Sequence, residues 1–208
     1  MEYTDHFINQ WNSRLRSREP QDIVQEALGW CERPVVTTNF RPYEVALLHL
    51  VSTQDAEIPV IWCDTGYNTP ETYRHADDLI RRLKLNTRVY VPRMTSAYRA
   101  ALSGGIPTLE DPLHEQFTEE VKLEPFRRAM NEWQPDLWFT NLRKGQTPLR
   151  DRLDILSLDR AGRLKVSPFY YYSDRELDEY LKTYDLPNEF RYFDPTKVES
   201  SRECGLHT

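Results

Sequence analysis

The sequence predicts an α/β fold with an open, mostly parallel sheet covered by helices on both faces. Short apolar runs rich in β-branched and aromatic residues, at residues 35–38, 58–63, 87–91 and 136–140, alternate with segments of helical apolar spacing. Strands that alternate with helices pair in parallel, because each crossover helix returns the chain to the same end of the sheet. The 208 residues are enough for one sizeable core and carry no internal repeat or low-complexity linker.

The elements follow in order. Phe7, Ile8, Trp11 and Leu15 fall on one face of a first helix; Ile23, Val24, Ala27, Leu28 and Cys31 do so on a second, spanning residues 21–31. Val35-Val36-Thr37-Thr38 reads as a strand, Asn39-Phe40-Arg41 as a turn, and Pro42 as the first residue of a helix continuing to Ser52. A second strand ends in Asp64-Thr65-Gly66-Tyr67. Thr69-Pro70-Glu71 then supplies a capping hydroxyl, an N1 proline and an early carboxylate. That helix turns Tyr73, Ala76, Leu79, Ile80 and Leu83 inward, and Asp77, Asp78, Arg81 and Arg82 outward. After a third strand, residues 95–130 are helical but interrupted at Ser103-Gly104-Gly105-Ile106-Pro107, with a new helix opening at Leu123-Glu124-Pro125-Phe126. A fourth strand precedes Asn141, a short strand starts at Leu164, and Ser173 caps an amphipathic helix over residues 174–184. Past Pro187 the chain has few aliphatic residues. The expected organisation is one α/β domain over 1–187 and a mobile C-terminal arm over 188–208.

Composition narrows the function. A charged fraction of 29% with mean hydropathy −0.72, and no apolar run of membrane-spanning length, describe a soluble chain. Its first residues lack the basic and apolar regions of a signal peptide, so the cytoplasm is expected. A net charge of −6 speaks against nucleic acid as partner, while local arginines still permit an anionic small substrate. The three cysteines, Cys31, Cys63 and Cys204, form no Cys-x-x-Cys pair and are too few for a four-thiolate cluster, so no iron–sulfur cluster is expected. Cys63, in an apolar strand, reads as a packed small hydrophobe. Tyr170, Tyr171 and Tyr172, taken as exposed, permit a homodimer.

Three stretches bear on chemistry. In open α/β sheets ligands bind beyond the carboxyl ends of the strands, where Thr37-Thr38-Asn39 and Asp64-Thr65-Gly66 fall. The first is a strand–turn–helix junction, which directs backbone N–H groups at an anion, but it lacks the glycines of a phosphate loop and, taken alone, reads first as a plain βα connection. The loop after the fourth strand carries Arg143, Lys144, Gln146 and Arg150, a set suited to phosphate or sulfate, or simply a solvated basic loop. Near the end of the sequence stands Arg202-Glu203-Cys204-Gly205-Leu206-His207, a thiol beside an arginine and an imidazole that favour its thiolate. A solvated tail with an incidental cysteine is the alternative.

Together these stretches resemble the thioredoxin-dependent phosphoadenylyl-sulfate (PAPS) reductases, within the adenine-nucleotide alpha-hydrolase-like superfamily. The resemblance rests on Ile58-Pro59-Val60-Ile61 through Asp64-Thr65-Gly66-Tyr67, Pro70-Glu71-Thr72-Tyr73, Lys122-Leu123-Glu124-Pro125, Leu142-Arg143-Lys144 with Gln146 and Arg150, and above all the Arg202–His207 tail. It implies that Cys204 attacks the sulfonyl sulfur of PAPS and that His207 orients the sulfate or stabilises the thiolate. Thr37, Thr38, Asn39, Arg41, Asp64, Thr65, Gly66, Lys122, Arg143, Lys144, Gln146, Arg150 and Arg202 would line the substrate site. It also implies an external reductant, thioredoxin or glutaredoxin, and no bound cofactor. Two departures stand out: Asn39-Phe40-Arg41 replaces the family's Ser-Gly-Gly or Ser-Phe-Gly, and the segment before the tail is shortened to residues 188–201. These leave two other readings, a thiol enzyme for a different sulfated or adenylated substrate and a non-catalytic nucleotide-binding homologue.

Overall fold

A computed structural model describes residues 3–197. Its centre is a six-stranded sheet in the order β3-β2-β1-β4-β6-β5: β1 Pro34–Thr38, β2 Val60–Cys63, β3 Thr87–Tyr90, β4 Leu137–Phe139, β5 Leu156–Leu158 and β6 Leu164–Val166. All neighbours run parallel except β5 and β6. Register puts Val36 opposite both Val60 and Phe139, so β1 and its two neighbours share inward-facing rows.

Alternation along β1 sends its side chains to two cores. Val36, with Val60, Trp62, Leu137 and Phe139, packs in a large core that includes residues of α1 (Asp5–Leu15), α2 (Pro20–Leu28), α3 (Glu44–Gln54), α4 (Pro70–Arg82) and α8 (Asp174–Thr183). Val35, Ile61, Cys63 and Trp138 point the other way, against Phe126, Ala129 and Met130 of α7 (Glu124–Trp133). Both faces are therefore covered, as expected. Cys63 is the packed hydrophobe its strand predicted, 7% exposed.

Local chemistry explains most boundaries. Thr69 accepts the Thr72 amide at the start of α4, and Ser173 and Glu176 form a reciprocal capping box on α8. The second helix stops at Leu28, three residues before Cys31. Pro42 does not open α3. Tyr43 is the N-cap with φ 67° and Glu44 the first helical residue, because the left-handed turn at Tyr43 sets the helix start after the proline. Between α5 (Ser96–Ser103) and β4, the helix α6 (Leu113–Thr118) runs through a π-helical turn, Glu119–Leu123, into α7. Pro125 accounts for the wide turn: in an unbroken α-helix its ring would strike the carbonyl four residues back. The short strand β5 was not anticipated. Among the tyrosines taken as exposed, Tyr170 is buried, its hydroxyl donating to the Arg150 carbonyl at 2.7 Å, while Tyr171 is 43% exposed.

Residues 188–197 form no helix or strand, yet they are tied to the domain. Asn188 Oδ1 accepts the Tyr43 amide, the Arg191 carbonyl accepts the Thr69 hydroxyl, and Asp194 pairs with Lys122. No helix among the described residues is long and apolar enough to cross a membrane.

Candidate active site

From β1 the chain winds outward to β2 and β3, then returns by way of α7 to β4 on the opposite side of β1. Such a reversal opens a crevice beyond the carboxyl ends of the two central strands. A cleft lies there. Thr37, Thr38, Asn39, Arg41 and Glu44 line it from the β1 side, and Thr140 and Asn141 from β4. Lys122, Arg150, Tyr192, Asp194 and Lys197 complete its polar wall.

The β1 loop is organised around a carboxylate. Glu44, 6% exposed, accepts the Thr38 hydroxyl at 2.8 Å and the Asn39 amide at 2.7 Å on Oε2, and Arg41 Nε at 2.8 Å on Oε1. Arg41 also donates from Nη2 to the Asn141 carbonyl at 3.2 Å, joining the β1 loop to the end of β4. Phe40 and Tyr43 hold φ of 54° and 67°, left-handed conformations that are uncommon outside glycine and that cluster at functional sites. Thr37 lies one residue back, its hydroxyl accepting Trp138 Nε1 at 2.9 Å.

On the β4 side, the Thr140 hydroxyl shares a 2.8 Å hydrogen bond with Ser167. Asn141 is 6% exposed and its Oδ1 has no hydrogen-bond partner among the described residues. Arg150, 3% exposed, donates to Gln146 Oε1, which also accepts the Arg143 amide at 3.0 Å, so Gln146 sets the shape of the basic loop.

Lys122 reaches the cleft from the π-helical turn, its side chain only 2% exposed. It pairs with Asp194 and donates to the Thr196 hydroxyl at 3.2 Å. Burial alone would raise the Asp194 carboxyl. The Lys122 ammonium, with the hydroxyl and amide of Thr196, outweighs it and holds the group below its ordinary value.

The remaining expected site residues lie elsewhere. Arg143 pairs with Asp174 at 2.7 Å, donates to the Tyr172 carbonyl and lies 5.3 Å from the Tyr43 ring centre. Lys144 is exposed, 5.8 Å from the ring of Tyr171. Asp64 accepts from the Gly66 amide, Asn68 and Tyr73, fixing a turn in which Gly66 takes φ 80°. Thr65 is buried and accepts the Tyr67 amide. Arg202, Cys204 and His207 lie outside the described residues. The sequence reading did not single out Glu44, Asn141 or Asp194. Glu44 stands three residues after Arg41, the spacing of a neighbouring ion pair, whereas nothing local pointed to Asp194.

Comparison with known proteins gives a consistent picture. A family model described as phosphoadenosine phosphosulfate reductase domain matches residues 33–193. The phosphoadenosine 5′-phosphosulfate reductase of Xylella fastidiosa (strain 9a5c) is 40% identical over 198 residues, covering 85% of this chain and 83% of its own. The enzyme of the same name from Xanthomonas axonopodis pv. citri is 35% identical, covering 85% and 82%. Among solved structures, a PAPS reductase from Candida auris, crystallised as a phosphate complex, superposes with a TM-score of 0.80 at 20% identity, covering 90% of each chain. The FMN adenylyltransferase of Candida glabrata, with a TM-score of 0.59 at 11% identity over 87% of this chain and 58% of its own, shares the fold alone.

Proposed function

The chain belongs to the phosphoadenosine phosphosulfate reductase family, and from that membership we propose that it reduces PAPS to sulfite and adenosine 3′,5′-bisphosphate. The supporting observation is the cleft at the β1–β4 switch point, whose walls bring Lys122, Arg150 and Lys197 together inside an acidic protein. Converging cations stabilise charge that develops on a leaving phosphate.

The chemistry assigns the nucleophile to Cys204. Its thiolate attacks the sulfonyl sulfur. An S–S bond forms, and the bond from that sulfur to the bridging oxygen breaks with its electron pair leaving on adenosine 3′,5′-bisphosphate. The enzyme then carries an S-sulfocysteine. A thiolate of reduced thioredoxin or glutaredoxin attacks the Cys204 sulfur, sulfite departs with the electron pair of the S–S bond, and the second thiol of the reductant resolves the mixed disulfide. Two electrons pass from dithiol to sulfur. His207 and Arg202, flanking the thiol in sequence, favour the thiolate and hold the sulfonate.

The test is sulfite release from PAPS and, separately, from adenylyl sulfate (APS), with reduced thioredoxin and a Cys204→Ser blank. Sulfite from PAPS that vanishes in the variant supports the assignment. Turnover that survives Cys204→Ser removes the nucleophile, and silence with both nucleotides removes the substrate.

A further inference from the structure

The β1 loop has the position of an anion-binding loop, yet its donors are already engaged. Glu44 collects the Asn39 amide, the Thr38 hydroxyl and Arg41 Nε, the groups that would otherwise meet an incoming phosphoryl oxygen. A carboxylate and a phosphate cannot share one set of donors without like charges in contact, and a cleft walled by protein screens that repulsion poorly. Arg41 and Glu44 together add no net charge.

What this end of the cleft does offer is acceptors. Among the described residues Glu44 Oε1 takes only Arg41 Nε, leaving capacity for a second donor, since a carboxylate oxygen accepts from more than one group. Asn141 lines the same cleft, and its Oδ1, buried at the end of β4, has no partner among the described residues. A buried carbonyl oxygen without a donor is costly in the empty site and is satisfied by a ligand that brings one. The Arg41 hydrogen bond to the Asn141 carbonyl ties the two acceptor residues into one unit.

We propose that Glu44 and Asn141 are specificity-determining residues that read hydrogen-bond donors, a ribose hydroxyl or an amine, at the β1–β4 end of the cleft. They keep phosphoryl and sulfonyl groups off the β1 loop, and those groups bind on the side of Lys122, Arg150 and Lys197. This rests on the sulfonucleotide reading of the same cleft.

The experiment titrates the full chain calorimetrically with inorganic pyrophosphate, which carries charge and no donors, and with adenosine 3′,5′-bisphosphate, which carries both. Glu44→Gln is near-isosteric and opens the loop to anions, so pyrophosphate affinity is expected to rise about tenfold. Asn141→Ala removes an oxygen that has no partner to lose among the described residues. It is expected to weaken the nucleotide about tenfold and leave pyrophosphate within twofold, a neutral hydrogen bond being worth roughly that factor. Pyrophosphate affinity that stays level or falls in Glu44→Gln, or a nucleotide affinity unmoved by Asn141→Ala, overturns the proposal while the nucleotide reading stands. Wild-type protein that binds no adenosine 3′,5′-bisphosphate overturns both. Should Glu44→Gln fail to fold by circular dichroism, the Asn141→Ala arm decides alone.

Discussion

Lys122 and Asp194, 72 residues apart in sequence, form an ion pair at the cleft with side chains only 2% and 8% exposed. The pair fastens the irregular segment 188–197 to the π-helical turn before α7, and it places a resident carboxylate on a cation assigned to the substrate.

Breaking this pair from one side should be expensive. Asp194→Ala leaves the Lys122 ammonium buried without compensation, which costs about 3 kcal/mol or more while the segment stays docked. Urea denaturation of Asp194→Ala, Lys122→Met and the double variant should show a double-variant loss well below the sum of the single losses. Additive losses would mean that the two side chains act independently. The pH dependence has a definite sign. Because the Asp194 carboxyl is held below its ordinary value of 3.8 in the fold, its contribution is complete above that value and is lost as pH falls below it. The stability gap between wild type and Asp194→Asn should therefore be level from about pH 5 to 8 and narrow only in stronger acid.

Arg41 and Glu44 should behave as a unit. Arg41→Ala strands the Glu44 carboxylate uncompensated in the cleft, where its charge repels the phosphates bound on the far wall, and kcat/KM for PAPS should fall about a hundredfold, the scale of one new repulsion in a cleft walled by protein. Neutralising the stranded carboxylate in Arg41→Ala/Glu44→Gln should recover about tenfold of that loss. Steady-state sulfite assays on the four proteins decide it. A double variant no better than Arg41→Ala would show that Arg41 acts through direct contact alone.

The described cysteines should be chemically silent. Burial raises the Cys31 thiol to about 12, with Asp136 and Asp55 adding to it. It also raises Cys63 to about 12 against the opposing pull of Lys122 and Arg128, although Cys63 lines the cleft. A raised thiol stays protonated, so at pH 8 each is thiolate to about one part in ten thousand. Iodoacetamide should modify native protein at Cys204, and Cys204→Ser should label about a hundredfold more slowly by intact mass. Rapid modification of Cys63 in the folded variant would show that the cleft activates the wrong thiol.

How legible all this was depended on whether the cause was local. Thr69-Pro70-Glu71 and Ser173 with Glu176 announce their helices because capping is a property of a few neighbouring residues. The unbroken apolar pair Val35-Val36 marks β1 because both faces of the sheet are packed. The three residues of β5 carry too little periodicity to distinguish from a loop, and they become a strand only through pairing with β6. In the site, Arg150 was offered as an anion ligand from residue type and Lys122 from the family resemblance alone. Arg143 was assigned the same role from its loop, but its direction is set by Asp174 and Tyr43, which no spacing relates to it. Asp194 arrives at Lys122 through the course of the whole chain.

The far edge of the sheet gives the last prediction. Asn12 of α1, 5% exposed, exchanges two hydrogen bonds with the backbone of Leu156: its Nδ2 donates to the carbonyl at 3.0 Å and its Oδ1 accepts the amide at 2.8 Å. A side-chain carboxamide thus completes the outer edge of β5 as a neighbouring strand would, at a position where unpaired groups invite association with other chains. Asn12→Leu keeps the volume but leaves the Leu156 N–H and C=O buried and unpaired, at roughly 1–3 kcal/mol each. Asn12→Leu should therefore destabilise the protein by about 3 kcal/mol in urea and speed amide exchange at Leu156, with little change in KM for PAPS. Exchange at Leu156 that matches the wild type would mean that β6 alone protects the strand, and that Asn12 serves only to pack α1.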